Sequence, residues 1–279
     1  MRTLTSSIVL TCFVFTFLLS VSSLFSTSSH SFLFDLLAFR PLSFLSGSSV
    51  ILGLPPLWTA LTSHLAEQYL IKGVIVQTLL GWLLYPLEKT WGSSELLRFL
   101  VFTAVFSSIL QLTVSTVGYL LYFSSSVFRP SSGQAALLLA SAVAEKQVFP
   151  LRPLAPLFRE IIPPRIFQAR HLPFLLLCVF LVVGLIFDMN DLVLAIGGFL
   201  GGWLYLRRKD RSPEFSFDTL FPRAIRGPLK RLSDALDSLG GLATFQSVQN
   251  ESSEVSSENR AAFESRRKKA LELINKLPV

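Results

Sequence analysis

Glu67 and Lys72 stand five residues apart inside an otherwise apolar stretch. An ionised side chain in hydrocarbon costs a few kcal/mol or more, so each one calls for a reason. Five residues do not quite place both groups on one helix face. A loose pair, or one side chain snorkelling to an interface, is the plain account. A proton or ion relay is the sharper one, and no further acidic or histidine partners line up for it on other spans. Glu88 closes the same stretch in Tyr85-Pro-Leu-Glu-Lys-Thr-Trp-Gly-Ser-Ser-Glu95. There Trp91 suits an interfacial anchor and Gly92 a tight turn. Glu145-Lys146-Gln147 precedes Pro150, where charge compensation at a helix end accounts for most of it and a dedicated interaction site is the alternative. His30, His64 and His171 have no metal-ligand spacing. Cys12 and Cys178 sit in apolar runs and read as buried or lipid-facing thiols. No nucleotide-binding loop appears, so neither metal nor cofactor is expected.

The surroundings of these groups set the class. The chain of 279 residues is 51% hydrophobic and 15% charged, with 25 phenylalanines and a mean hydropathy of +0.55. Soluble domains carry about 25% charged residues. The charges are also unevenly placed: 19 in residues 1–206 against 24 in residues 207–279. That split predicts a membrane body over 1–206 and a soluble tail over 207–279. It excludes a soluble enzyme, a secreted disulfide scaffold and a disordered protein. The net charge of +7 reads as a topology signal rather than as affinity for nucleic acid, because Lys and Arg collect on the cytoplasmic side of membranes.

Six apolar runs are expected to span the bilayer. The first covers Ser6–Phe25, with a signal peptide or signal anchor over 1–25 as the alternative. Residues 26–56 read as a loop lying in the interface. The second run covers about Leu57–Tyr85 and the third about Leu96–Phe123. The fourth, short and Ala-rich, covers about Gly133–Phe149. The fifth and sixth, about Leu172–Phe187 and Leu192–Leu206, form a hairpin through Asp188-Met-Asn-Asp191. With the N-terminus in the cytosol, the cytosolic segments hold Arg2, Lys89, Arg98, Arg152, Arg159, Arg165, Arg170 and the Arg207–Arg211 cluster. The lumenal ones hold Arg40 and Arg129. The bias agrees at every loop and predicts both termini in the cytosol.

Gly197, Gly198, Gly201 and Gly202 form two overlapping Gly-x-x-x-Gly pairs in the sixth run. They predict close backbone approach, within the chain or between two copies. The tail opens with Ser212-Pro-Glu-Phe-Ser-Phe-Asp-Thr-Leu-Phe-Pro222, passes through a Ser/Gly-rich linker, and ends in an amphipathic helix over 258–277. Phe215, Phe217, Phe221 and Pro222, with Arg266, Arg267, Lys268 and Lys269, are its candidate partner contacts. The alternative for the terminal helix is a fraying, solvated segment.

The Leu84–Leu100 phrase resembles the connection between the second and third spans of the rhomboid superfamily, with Glu88, Gly92 and Phe99 at recurring positions. A closer resemblance is to the transmembrane protein 115 family of rhomboid-like Golgi proteins. Trp58 with Glu67, and Glu88 with Trp91, Gly92 and Glu95, carry it. So do Gly133 with Lys146, Gln147 and Pro150, the Phe215-Ser-Phe217 and Phe221-Pro222 phrases, and the Arg-rich terminal helix. The resemblance spreads over about residues 55–279; the first 50 residues match nothing in it.

Rhomboid proteases use a serine at the start of the fourth span and a histidine in the sixth. The hydroxyl needs that histidine as base, and donors for the oxyanion. Here Ala135 occupies the nucleophile position, Ala195 lies near the base position, and the sixth run has no histidine. His64 and His171 belong to other segments, at what read as the wrong ends. The resemblance therefore implies an all-α, six-helix rhomboid-like bundle without enzymatic activity. It further implies a Golgi scaffold supporting Golgi-to-ER retrograde transport through tether or coat proteins on the cytosolic tail. A derlin-like role in ER quality control and an active intramembrane serine protease are the rivals. A transporter would need polar residues along a shared path, whereas these charges cluster at span ends.

Overall fold

The structure, a computed structural model, describes residues 4–25, 36–39, 41, 58–122, 130–150, 152, 169–186, 189–209, 217–221, 226, 230 and 265. Six helices of 14 or more residues organise it. They are α1 (Leu4–Phe25), α2 (Leu70–Trp91), α3 (Ser93–Tyr122), α4 (Ala135–Val148), α5 (Leu172–Ile186) and α6 (Met189–Lys209). Among the described residues there is no strand, only an isolated antiparallel bridge between Phe39 and Ser131. In hydrocarbon each backbone N–H and C=O needs an internal partner, and a helix supplies one for all but its ends.

Four helices are long and apolar enough to cross a membrane: α1, α2, α3 and α6. α4 has 14 residues and α5 has 15. At 1.5 Å per residue that is roughly 21 Å, short of the ~30 Å hydrocarbon core. α4 compensates by position. It is enclosed by the other helices and almost every residue of it is buried. Its neighbours turn their large apolar side chains outward, among them Phe13 and Phe17 on α1, Ile71 and Ile75 on α2, Ile109 on α3 and Val182 on α5. Thr16, Gln77, Ser107, Gln111 and Ser141 point inward. Apolar residues outside and polar ones inside is the arrangement lipid selects.

Glycines let the backbones close up. A Cβ on Gly198 would lie 2.0 Å from the Ala136 carbonyl oxygen, and one on Gly202 2.9 Å from Ala140 Cα. Gly197 meets Ser107, and Gly201 meets the ring of Phe106. The two Gly-x-x-x-Gly pairs of α6 thus face α4 and α3 respectively. This is packing within one chain, and it uses the surface that a second copy would need.

Several expected boundaries move. The second run does not start a helix near residue 57. Trp58 opens a single turn, Thr59–Thr62, and the chain stays irregular until α2 begins at Leu70. Glu67 therefore lies in a loop, not within the span. α2 continues beyond Tyr85, through Pro86, to Trp91, so Glu88 sits inside it. α6 starts at Met189, which places Asp191 in its first turn rather than in a connecting turn. The tail differs most. Phe217–Leu220 forms a short 3-10 helix whose Phe217 and Leu220 are buried in the core. Phe217 packs edge-on against Phe199, Trp203 and Phe221, and Phe221 against Phe199 and Phe174. The phenylalanines expected to meet a partner are thus spent on the bundle. Phe215, Pro222, Arg266, Arg267, Lys268 and Lys269 lie outside the described residues.

Candidate functional site

The motif residues sort into two groups, one at each end of α4. At its C-terminal end, the α2–α3 turn is built around Glu88 and Gly92. Gly92 has φ +82° and donates its amide to Glu88 O at 2.8 Å. The Glu88 carboxylate accepts from Leu4 N at 2.6 Å, Thr5 N at 2.9 Å, Thr5 Oγ1 at 2.6 Å and Ser93 Oγ at 2.6 Å. It caps the first turn of α1 across the sequence, where amides have no intrahelical acceptor. Glu95 accepts from Tyr205 Oη at 2.7 Å and Lys209 Nζ at 2.6 Å. Phe99 stands edge-on between Trp91 and Tyr205. The Trp91-Gly92-Ser-Ser-Glu95 phrase therefore closes α2, starts α3 and ties both to the end of α6. Trp91 is a packing residue as much as an interfacial one.

The Lys146-Gln147-x-x-Pro150 phrase works at the same end. Lys146, mostly buried, donates to Thr219 Oγ1 at 2.8 Å and so fastens the tail segment to α4. Arg226 donates to Phe221 O at 3.0 Å and Thr219 O at 3.3 Å. Fully buried Glu145 pairs with Arg152, whose guanidinium lies over the Trp82 ring at 4.8 Å. Pro150 O accepts from Arg170 N at 3.2 Å. Gln147 is half-buried, and its Nε2 has no hydrogen-bond partner among the described residues.

The other end of α4 gathers the remaining motif residues. Trp58 Nε1 donates to Leu36 O at 3.2 Å. Gly133 N donates to Ser63 O at 2.9 Å, and Gln134 Nε2 to Leu65 O at 3.1 Å. Phe39 and Ser131 exchange backbone bonds of 2.8 and 3.0 Å. Loop 58–69, the 36–39 segment and the entry to α4 are thereby one assembly. Lys72, in the first turn of α2, donates to Glu67 Oε1 at 2.9 Å and to Asp191 Oδ2 at 2.5 Å. Glu67 is buried at 1% exposure, and its amide donates to Thr16 Oγ1 of α1 at 3.2 Å. The charges expected to pair only loosely join, among the described residues, in a network of Glu67, Lys72 and Asp191, with Asp191 as the acidic partner that the sequence did not disclose. It is 119 residues from Lys72, and its Asp-Met-Asn-Asp context reads as a turn. Burial pushes the Glu67 carboxyl up to about 7 against the opposing pull of the Lys72 ammonium.

His64 belongs to this end too, and not to the opposite one. Its Nε2 lies 3.0 Å from Ser108 Oγ, which makes a serine–histidine contact away from the expected dyad positions. Ser108 already donates its proton to Ala60 O at 2.9 Å, so Nε2–H is the donor to Ser108 and the contact holds structure rather than activating a nucleophile. Burial pushes His64 down to about 4, which keeps it neutral. Ala135 opens α4 and Ala195 lies in α6; both are buried and carry only methyl groups. The nearby Ser107 hydroxyl is spent on Leu194 O at 3.2 Å. Nothing at positions 135 and 195 can take or give a proton. Among the described residues no group of three or more His, Cys, Asp or Glu could hold a metal ion.

Residues 7–277 match a family described as "Eukaryotic integral membrane protein (DUF1751)". The chain is also 29% identical over 189 residues to Rhomboid-like protein 19 of Arabidopsis thaliana, covering 62% of this chain and 59% of that relative. The match thus spans less than two thirds of the relative's length.

Proposed function

The chain belongs to the eukaryotic integral membrane protein family DUF1751, and from that premise we propose a non-catalytic, rhomboid-like scaffold of the Golgi membrane. In this reading α1 to α6 are six spans, with both termini in the cytosol and α1 retained as the first span. Loop 58–69 then faces the lumen. The protein supports Golgi-to-ER retrograde transport by offering its tail to tether or coat proteins. The observation that carries the non-catalytic part is the pair of buried alanines, Ala135 and Ala195. A serine hydrolase needs a hydroxyl and a base there. The likeness to a rhomboid-like protein supports the fold side of the reading.

Because Phe217 and Phe221 are packed on the bundle, partner contact falls to the tail beyond residue 230, with Arg266, Arg267, Lys268 and Lys269 as its basic centre. The test is a tagged copy imaged against Golgi and ER markers, combined with pull-down from wild type and a 258–279 deletion. Golgi signal, and partner recovery that drops on deletion, are expected. Steady-state ER signal would favour a quality-control role, and undiminished recovery would remove the tail from the mechanism. Labelling of a serine by a fluorophosphonate probe would restore the protease reading.

A further inference from the structure

One stripe of α2 runs from apolar to aromatic to cationic. Ile75, Leu79, Trp82, Tyr85 and Lys89 follow one another at steps of three or four residues, so they share a helix face. Ile75, Leu79, Tyr85 and Lys89 are exposed, and Trp82 is partly so. Such a face meets acyl chains at one end and headgroups at the other, because aromatic rings settle at the interface and long cations reach past it. The Lys89 ammonium lies over the Tyr85 ring at 4.4 Å, and the Arg152 guanidinium over the Trp82 ring at 4.8 Å. Arg170 stands beside Arg152, since Ala169 N donates to Arg152 O at 3.0 Å and Arg170 N to Pro150 O at 3.2 Å. The carboxylates nearest in sequence are turned away. Glu88 accepts from α1 and Ser93, and fully buried Glu145 takes only Nη1 of Arg152. Arg170 gives Nε to His171 Nε2. Lys89 and Arg170 are exposed and have no carboxylate within ion-pair distance among the described residues. What this edge presents to its surroundings is therefore cationic.

We infer that this edge is a binding site for an anionic phospholipid. Lys89, Arg152 and Arg170 take the headgroup, and an acyl chain lies along Leu79 and Ile75. A headgroup phosphate only accepts hydrogen bonds, which suits side chains that only donate, and a guanidinium offers it a planar fork. The rings of Trp82 and Tyr85 hold two of the cations in place and shield one side of each from water. A phosphatidylcholine headgroup carries its own quaternary ammonium beside the phosphate, so it matches these donors less well than an anionic one. A free phosphate would find the same donors but would leave the apolar stripe unused. The site lies on the bundle and needs neither the tail nor a particular leaflet, so it stands apart from the scaffold reading above.

The experiment is a lipid titration of the full chain in neutral detergent micelles, read as quenching of tryptophan fluorescence by phospholipid brominated on its acyl chains. Brominated phosphatidylserine should quench at a several-fold lower concentration than brominated phosphatidylcholine. Trp82→Phe, which keeps a ring under Arg152, should remove that difference. Lys89→Gln combined with Arg170→Gln should bring the phosphatidylserine curve onto the phosphatidylcholine one. Both side chains are exposed, so the core is untouched, whereas Arg152 is left in place because it holds Glu145. Arg98→Gln combined with Arg208→Gln removes the same charge from exposed positions on α3 and α6 and should keep the preference. An equal loss in that control would show a diffuse charge effect and overturn the site, as would equal quenching of wild type by the two lipids. If the Lys89 and Arg170 variant fails to fold, salt decides on wild type. The preference should shrink as ionic strength rises, and a preference indifferent to salt overturns the headgroup contact. Inorganic phosphate at concentrations similar to the lipid should leave the phosphatidylserine curve in place; if it abolishes the preference, the occupant is a free anion and the lipid assignment falls.

Discussion

Glu88 concentrates four hydrogen bonds in one carboxylate, and two of them come from backbone amides at the start of α1. Replacing it with alanine strands those amides where few alternatives exist. An unpartnered buried donor costs about 1–3 kcal/mol. Glu88→Ala is therefore expected to loosen α1 from α2, read as a lower unfolding midpoint and as protease access near residue 4. An unchanged cleavage pattern would show that α1 does not depend on this cap. Gly92 is a different case. Its φ of +82° with ψ of 159° belongs to a region open in practice only to glycine, and occupying it with another residue costs about 1–3 kcal/mol. No atom lies within 4 Å of a Cβ there, so the penalty for Gly92→Ala is purely conformational. A larger aliphatic side chain should cost about the same as alanine, and unfolding midpoints of the two variants check this.

At the scale of the helices, the contact between α4 and α6 has the least tolerance. The Cβ of Gly198→Ala would meet the backbone of Ala136 at 2.0 Å from its carbonyl oxygen. Backbone cannot rotate away, so the two helices must separate and the core of α4 opens. Overpacking costs typically 1–3 kcal/mol and more where nothing yields. Gly201→Ala, by contrast, meets a side chain, Phe106 Cδ1, at 2.9 Å, which can turn. Purified yield and unfolding midpoint should rank wild type, Gly201→Ala and Gly198→Ala in that order. Equal behaviour of the two variants would mean that α6 is held by something other than this glycine face. Loss of a dimer with the monomer's stability unchanged would instead assign the glycines to contacts between copies.

Over the whole molecule, the proposed function divides the tail into two parts with separate physical roles. Residues 217–221 belong to the bundle: three aromatic rings surround Phe217, and Lys146 holds Thr219. Truncating a buried phenylalanine to alanine costs about 3–5 kcal/mol, so Phe217→Ala should lower the unfolding midpoint markedly. Deletion of 258–279 should leave that midpoint unchanged while weakening partner recovery. If the deletion destabilises the bundle as well, the terminal segment is structural. The Asn250-Glu-Ser252 sequon supplies the orientation test. In a cytosolic tail it stays bare, and an endoglycosidase-sensitive shift at Asn250 would invert the topology.

The helical membrane class was legible from charge density, because a bilayer penalises each ionised group wherever it falls and so leaves its mark along the chain. The run from Leu172 and the short run beginning near Gly133 were equally legible, since apolar length is a local property. That alanine stands at 135 and 195, with no proton to transfer at either position, is likewise read directly from the residue types. The charges were another matter. Glu67 and Lys72 looked like an awkward pair in one helix because their third partner, Asp191, is distant in sequence and disguised as a turn residue. Phe217 and Phe221 looked like free contacts because nothing local distinguishes an aromatic that docks on its own bundle from one that awaits a partner. His64 looked misplaced until loop 58–69 folded back onto the start of α4. Composition and periodicity report what each residue costs in its own neighbourhood. Pairing, capping and docking depend on which segments meet, as where Gly198 and Gly202 let α6 close on α4, and only the tertiary structure decides that.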